Sequence, residues 1–290
     1  MSLPIVILAA GYGAATSAFV PRIAHRLAVP FGASPRTACA DCGRPFPTGH
    51  RGWAHAGHPC GCTARRAGTR SELPGAGGAE PAHDAQPTRD AQPVGDAGPA
   101  RGAQPGGDAG PACHAGPATG TVMAVGASAA ALLAAARGPV PTLPVLLLAV
   151  PLGVLLAVVD LRCLRLPDAL VGALAAVVVP PLVLLALLGG EPGRLGRAAV
   201  AAGLAGAAYL MVALLPGHGL GFGDVKLAAA LAFPLGFLGW PVAAAGLVVP
   251  HLINGPVALV LMATGRARRG TALPLGPALL AGALLGVVLA

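Results

Sequence analysis

The sequence predicts an all-α membrane protein: a polytopic transmembrane bundle of about eight spans, with a small cytoplasmic Cys-rich segment and a disordered linker. Three observations predict it. Apolar residues make up 55% of the 290 and charged residues 10%, where an ordinary soluble domain carries about 25% charged residues. Of the thirty charges, thirteen lie in residues 121–290 and seventeen crowd into the first 120. The apolar residues also come in runs close to the roughly 17 to 25 that a helix needs to cross hydrocarbon, where unpaired backbone groups are not tolerated. Aromatic residues, at 3%, are too few for a base-stacking platform, so the net charge of +8 is read as a membrane-topology signal and no nucleic-acid partner is expected.

Residues 1–20 form the first span, Leu3 to Val20. They lack the basic leader that precedes the apolar core of a secretory signal, which predicts a retained helix. Residues 21–70 hold eight Arg and one acid, Asp41. By the positive-inside rule this segment is cytoplasmic and the N-terminus outside. Within it, Cys39-Ala-Asp-Cys42 and Cys60-Gly-Cys62 flank His50, His55 and His58. Four thiolates in two short pairs fit a structural zinc site that would pin a knuckle with little core of its own. The tight Cys60–Cys62 pair leaves room for His55 or His58 to replace one Cys, and leaves open a segment with no metal at all. A cytoplasmic location disfavours disulfides, which leaves Cys113 and Cys163 unpaired.

Residues 71–120 are of a different material. From His83 a six-residue unit recurs as HDAQPT, RDAQPV, GDAGPA, RGAQPG, GDAGPA and CHAGPA, with Pro at every fifth place. Such a tract buries too little apolar area to offset its ordering entropy and reads as a disordered linker.

Residues 121–290 supply the remaining spans: Thr121 to Ala136, Thr142 to Val159, Ala169 to Leu188, Ala198 to Leu215, Leu227 to Leu238, Val242 to Ala263 and Leu273 to Leu289. Gly236, Gly239 and Pro241 predict a break between the two spans they separate. Alternate threading puts Arg162, Arg165, Lys226, Arg266, Arg268 and Arg269 inside, and Arg137, Arg194 and Arg197 outside. It also brings the loops after Asp160 and before Lys226 to one membrane face.

Only four acids occur in this region, and an ionisable group near hydrocarbon needs a partner or a task. Glu191 has Arg194 and Arg197 beside it. Asp168, after Pro167, reads as the N-cap of its span. Asp160 closes a span at its C-terminus, where a negative charge opposes the helix dipole, with only Arg162 or Arg165 as a local partner. Asp224 follows the alternating glycines Gly217, Gly219, Gly221 and Gly223, and the chain's one lysine, Lys226, follows it. Glycines so spaced allow close backbone approach or positive φ. Two carboxylates converging at a membrane face would share a proton, one staying protonated while the other polarises a water. That chemistry suits peptide hydrolysis, or a proton relay in a transporter.

Gly221-Phe-Gly-Asp224-Val-Lys226-Leu227 and Asp160-Leu-Arg-Cys-Leu-Arg-Leu-Pro167-Asp168 resemble the G-x-G-D-x-K-L and D-x6-P-[DN] motifs of the type IV prepilin peptidases, membrane aspartic proteases. Gly13 to Pro30, with Ser17-Ala-Phe19 and His25-Arg-Leu, is similar to that family's G-S-F-L-N-V-V-I-x-R-L-P stretch. Pro274-Leu-Gly-Pro277 through Gly282-Ala283 is similar to its P-F-G-P ending.

The resemblance implies that Asp160 and Asp224 are the catalytic pair, with Gly221, Gly223, Lys226, Pro167 and Asp168 supporting the motifs. It implies leader removal from prepilin-like or pseudopilin substrates at the cytoplasmic face of a bacterial inner membrane, serving a type IV pilus or protein secretion, with no cofactor required for proteolysis. Many members also methylate the new N-terminus with S-adenosylmethionine and carry two C-x-x-C pairs. Here there is one such pair, Cys39–Cys42, and one C-x-C, Cys60–Cys62, a departure that bears on the methyl transfer. An inactive scaffold with the same fold, or a transporter using the same aspartates, are the alternatives.

Overall fold

A computed structural model describes residues 3–29, 34–38, 45, 46, 49, 53, 117–215, 220–265 and 274–289. The Cys-rich pairs and nearly all of the hexad tract lie outside these residues. Among the described residues the regular structure is helical: α1 (Leu3–Ser17), α2 (Val20–Leu27), α3 (Thr119–Arg137), α4 (Leu143–Cys163), α5 (Asp168–Leu188), α6 (Pro192–Leu214), α7 (Phe222–Leu238), α8 (Trp240–Ala263) and α9 (Gly276–Leu289). All of them belong to one compact unit, Met1–Cys60 together with Ala112–Ala290.

Six stretches are long and apolar enough to cross a membrane, with Leu3–Leu27 counted as one. The expectation of eight is therefore met only in part, because α7 has 17 residues and α9 has 14. At 1.5 Å per residue both fall short of a hydrocarbon core about 30 Å thick. The helices are apolar on their outer faces as well as their inner ones: Leu187, Met211, Leu252 and Leu259 are all exposed. A bundle apolar all round is what lipid, rather than water, requires.

Helix α4 is the centre. Of its most apolar stretch 61% is buried, against 28% or less in the other five membrane-length stretches. One cluster packs Val154 and Val158 of α4 with Val122 and Leu133 of α3, Leu235 of α7 and Val242 of α8. A second sets Leu156 of α4 against Leu174 and Leu182 of α5, Leu227 and Phe237 of α7 and Leu279 of α9.

Small residues set the closest crossings. In α1, Gly13 and Ser17 are four apart; in α3, Gly126 and Ala130 are four apart. A Cβ on Gly13 would land on the Gly126 carbonyl, and one on Gly126 on the Ser17 hydroxyl. This is the small-xxx-small contact by which membrane helices approach when lipid leaves no hydrophobic drive between them. Gly126→Leu is expected to separate α1 from α3 and to cost about 1 to 3 kcal/mol of stability, read as a lowered thermal midpoint of the detergent-solubilised protein. Gly120→Leu, at a position with nothing within 4 Å, should leave it unchanged.

The expected break between α7 and α8 falls at Gly239, whose φ of 155° only glycine adopts readily. Arg197 from the start of α6 closes that end of α7, donating to the carbonyls of Gly236 (2.7 Å) and Phe237 (3.1 Å). Its neighbour Arg194 pairs with Glu191 at 2.9 Å, as their adjacency predicts.

Candidate functional site

The site forms at the opposite end of α7, where α4 ends and α5, α7 and α9 begin. Helix α4 stops at Leu164, the one non-glycine with positive φ among the described residues (49°), whose N–H closes on the Asp160 carbonyl at 2.7 Å. Asp160 therefore sits in the last turn of α4, and it is only 4% exposed. At that position the backbone dipole disfavours its charge. The sequence offered Arg162 and Arg165 as compensation, but the structure supplies something else. The N–H of Gly276, first residue of α9, donates to Asp160 Oδ2 at 3.0 Å, across 116 residues of chain. The positive end of α9 thus offsets the negative end of α4, and one orphan N–H of a helix N-terminus finds its acceptor.

Gly276 can do this only because it lacks a side chain. A Cβ there would lie 2.8 Å from Asp160 Oδ2. Helix α9 is held in place by its crossing with α8, where a Cβ on Gly282 would overlap the Pro250 ring and one on Gly286 would lie 2.7 Å from the Gly246 nitrogen.

Asp224 is held in a parallel way. Gly221 is the N-cap of α7, so Asp224 is the third helical residue. Its carboxyl accepts a backbone hydrogen bond from Gly221, the reach back to the cap that a capping box uses. The other oxygen, Oδ1, is buried and has no hydrogen-bond partner. Asp160 and Asp224 lie at one end of the bundle, close enough for the charge of one to act on the other. Each therefore has one oxygen tied to a glycine amide at a helix N-terminus.

Of the alternating glycines, Gly223 serves chain packing. Gly221 has φ −73°. A Cβ on Gly223 would come within 2.9 Å of Leu166 Cβ and 3.1 Å of its carbonyl oxygen. The start of α7 thereby rests on the α4–α5 loop, where Leu166 is buried. Neither Gly221 nor Gly223 has positive φ, and a close backbone approach is found at Gly223 alone, to Leu166 of the same chain. Gly217 and Gly219 lie outside the described residues.

Two expectations are corrected. Asp168 does not cap α5, because Pro167 occupies the cap position and no side chain bonds to the first turn. Asp168 instead pairs with Lys226 at 2.7 Å, with both side chains about half exposed or more. An exposed pair adds at most about 1 kcal/mol, so its effect is positional: it fastens the residue after Pro167 to the residue two beyond Asp224. Cys163, expected to be unpaired, is disulfide-bonded. A cytoplasmic, reducing location disfavours such a bond.

Three neighbours were not singled out as site residues by the sequence. One is Gly276, present there only within the Pro274-Leu-Gly-Pro277 motif. The others are Tyr209 of α6, within reach of the Asp224 charge, and His251 of α8. His251 Nδ1 lies 2.9 Å from the Leu247 carbonyl, which can only accept. In the neutral ring Nε2 is then an acceptor, and the Tyr209 hydroxyl, 3.5 Å away, is its donor.

An apolar cavity of about 600 Å³ opens among α3, α4, α5, α7 and α9, lined by Val125, Gly153, Ala157 and Leu280. Its lining also includes Leu161 and Pro277, which places one end of it at the end of the bundle where α4 stops and α9 begins.

The zinc candidates Cys39, Cys42, Cys60 and Cys62 lie outside the described residues. Among the described residues no three His, Cys, Asp or Glu converge to hold a metal ion. No protein-family model, curated protein or solved structure matches this chain.

Proposed function

We propose that the protein is a membrane-embedded aspartic endopeptidase that removes the leader of prepilin-like proteins. What carries the reading is the pair of carboxyls from separate helices, each fixed by a glycine amide, with the buried Asp224 Oδ1 left without a partner. An ionised carboxyl takes a proton from a water between the two as the water oxygen attacks the scissile carbonyl carbon. The protonated partner donates to the carbonyl oxygen. Collapse of the tetrahedral intermediate breaks the C–N bond and sends a proton to the leaving amine. In this reading the apolar cavity takes part of the substrate's hydrophobic helix, and the bond just before that helix meets the carboxyls.

In this reading the chain threads eight spans through a bacterial inner membrane, with the N-terminus outside and the site at the cytoplasmic face. The short α7 and α9 fit because their ends line the site rather than the lipid. Proteolysis needs no cofactor. Zinc on Cys39, Cys42, Cys60 and Cys62 would be structural, and S-adenosylmethionine would enter only with a methyltransferase activity. The Tyr209–His251 contact near Asp224 favours one second reading, a proton-coupled transporter in which these groups relay protons.

One experiment separates the two. The purified protein is reconstituted into liposomes with a prepilin-like substrate bearing a short basic leader, and leader removal is followed by gel shift beside a lumenal pH dye. Loss of the leader without proton flux is the expected result. Proton flux with an intact substrate would replace the peptidase reading by the transporter.

A further inference from the structure

Helix α2, Val-Pro-Arg-Ile-Ala-His-Arg-Leu, is turned the wrong way for a helix on an apolar bundle. Arg22, His25 and Arg26 are 9%, 9% and 5% exposed, while Ile23 and Leu27 on the same helix are less buried. Arg162, from the last turn of α4, is 5% exposed. Guanidinium groups do not discharge in proteins, so each buried one costs several kcal/mol unless a counter-charge or a hydrogen-bond acceptor meets it.

For Arg26 and His25 the structure provides company. The Arg26 guanidinium lies 5.0 Å from the Phe46 ring centre and 4.5 Å from that of Trp53, and His25 meets the edge of Phe46. For Arg22 and Arg162 nothing comparable stands among the described residues: the Nε of each is buried without a hydrogen-bond partner. Among the described residues, the acids at this end of the bundle are engaged elsewhere, Asp160 by Gly276, Asp224 by Gly221 and Asp168 by Lys226. The cations also lie close together. Arg22 is within charge range of Arg26, and Arg36 within range of Arg162. The Arg36 N–H bonds to the Arg26 carbonyl at 2.9 Å, so the two pairs are joined through the backbone.

We propose that Arg22, Arg36 and Arg162 form a binding site for a phosphate oxyanion. Guanidinium forks match phosphate oxygens in bidentate geometry, and three positive charges with no carboxylate paired to them among the described residues call for a ligand of concentrated negative charge. Two sources carry that chemistry, a phospholipid headgroup and a free phosphate. The inference concerns binding alone and does not rest on the peptidase reading.

The test uses the full chain purified in a neutral non-ionic detergent. Bound phosphorus is quantified. Thermal midpoints are then measured against phosphatidylglycerol in mixed micelles, against phosphatidylcholine, and against inorganic phosphate with chloride at matched ionic strength. Saturable stabilisation by phosphatidylglycerol but not by inorganic phosphate assigns the site to lipid; stabilisation by both assigns it to the phosphate group itself. In either case Arg22→Gln and Arg162→Gln should weaken the effect about tenfold or more, the loss of a charge-assisted hydrogen bond. Arg162→Lys and Arg22→Lys keep the charge without the fork, so they address folding. They should give normal yield and helical content yet bind more weakly than the parent. No saturable stabilisation by either ligand, or full binding retained in both Gln variants, overturns the proposal.

Discussion

Asp160→Asn and Asp224→Asn are each expected to reduce leader removal at least 100-fold, the scale of losing a positioned acid or base, while both proteins still insert and fold. An amide cannot take a proton from water or pass one on, and with one carboxyl gone the pair cannot share a proton. Stability should move the other way. Asp160 is buried and feels the charge of Asp224, so replacing either by a neutral near-isostere removes like-charge repulsion and a desolvation cost. Thermal midpoints equal to or above the parent's, together with lost cleavage, are therefore the expected pair of results. Normal processing in either variant would remove that residue from the dyad.

The second large effect is expected far along the chain, at Gly276. In Gly276→Ala the new Cβ would sit 2.8 Å from Asp160 Oδ2 and 3.2 Å from its Cγ, so the carboxyl must shift by a few tenths of an ångström. Gly276→Val adds two more carbons and pushes it further. Displacement of a reacting group by about 1 Å costs on the order of 100-fold in rate. The expected result is thus a kcat about tenfold lower for Ala and about 100-fold lower for Val, with KM little changed because the apolar cavity is untouched. Gly172→Ala, on the exposed side of α5 with nothing within 4 Å, is the control and should retain full activity. Wild-type kcat in Gly276→Val would mean that the amide of Gly276 does not position Asp160.

The positions of the two aspartates were legible in the sequence because charge is rare in residues 121–290, and each acid there could be questioned alone. The break at Gly239 was legible for a local reason too, a glycine and a proline two residues apart between apolar runs. What the sequence hid is what joins distant segments. The Gly276 contact with Asp160 spans 116 residues and leaves no periodicity behind. The Lys226–Asp168 pair was missed because each residue had a plausible local role, motif support for one and helix capping for the other. Arg197 read as an outside-loop charge, yet it caps α7 from the neighbouring helix. The buried arginines of α2 ran against the rule that an amphipathic helix turns its charges outward, and spacing alone could not announce the inversion.

That the last helix supplies the amide holding Asp160 has a consequence for biogenesis. A nascent chain integrates its hydrophobic segments in order, so both aspartates are already in the bilayer while residues 276–289 are still being made. Until that segment docks, Asp160 lacks its clamp, and a centre of the kind proposed would be incomplete. Newly synthesised protein would then stay silent towards its neighbours in the membrane until α9 is in place.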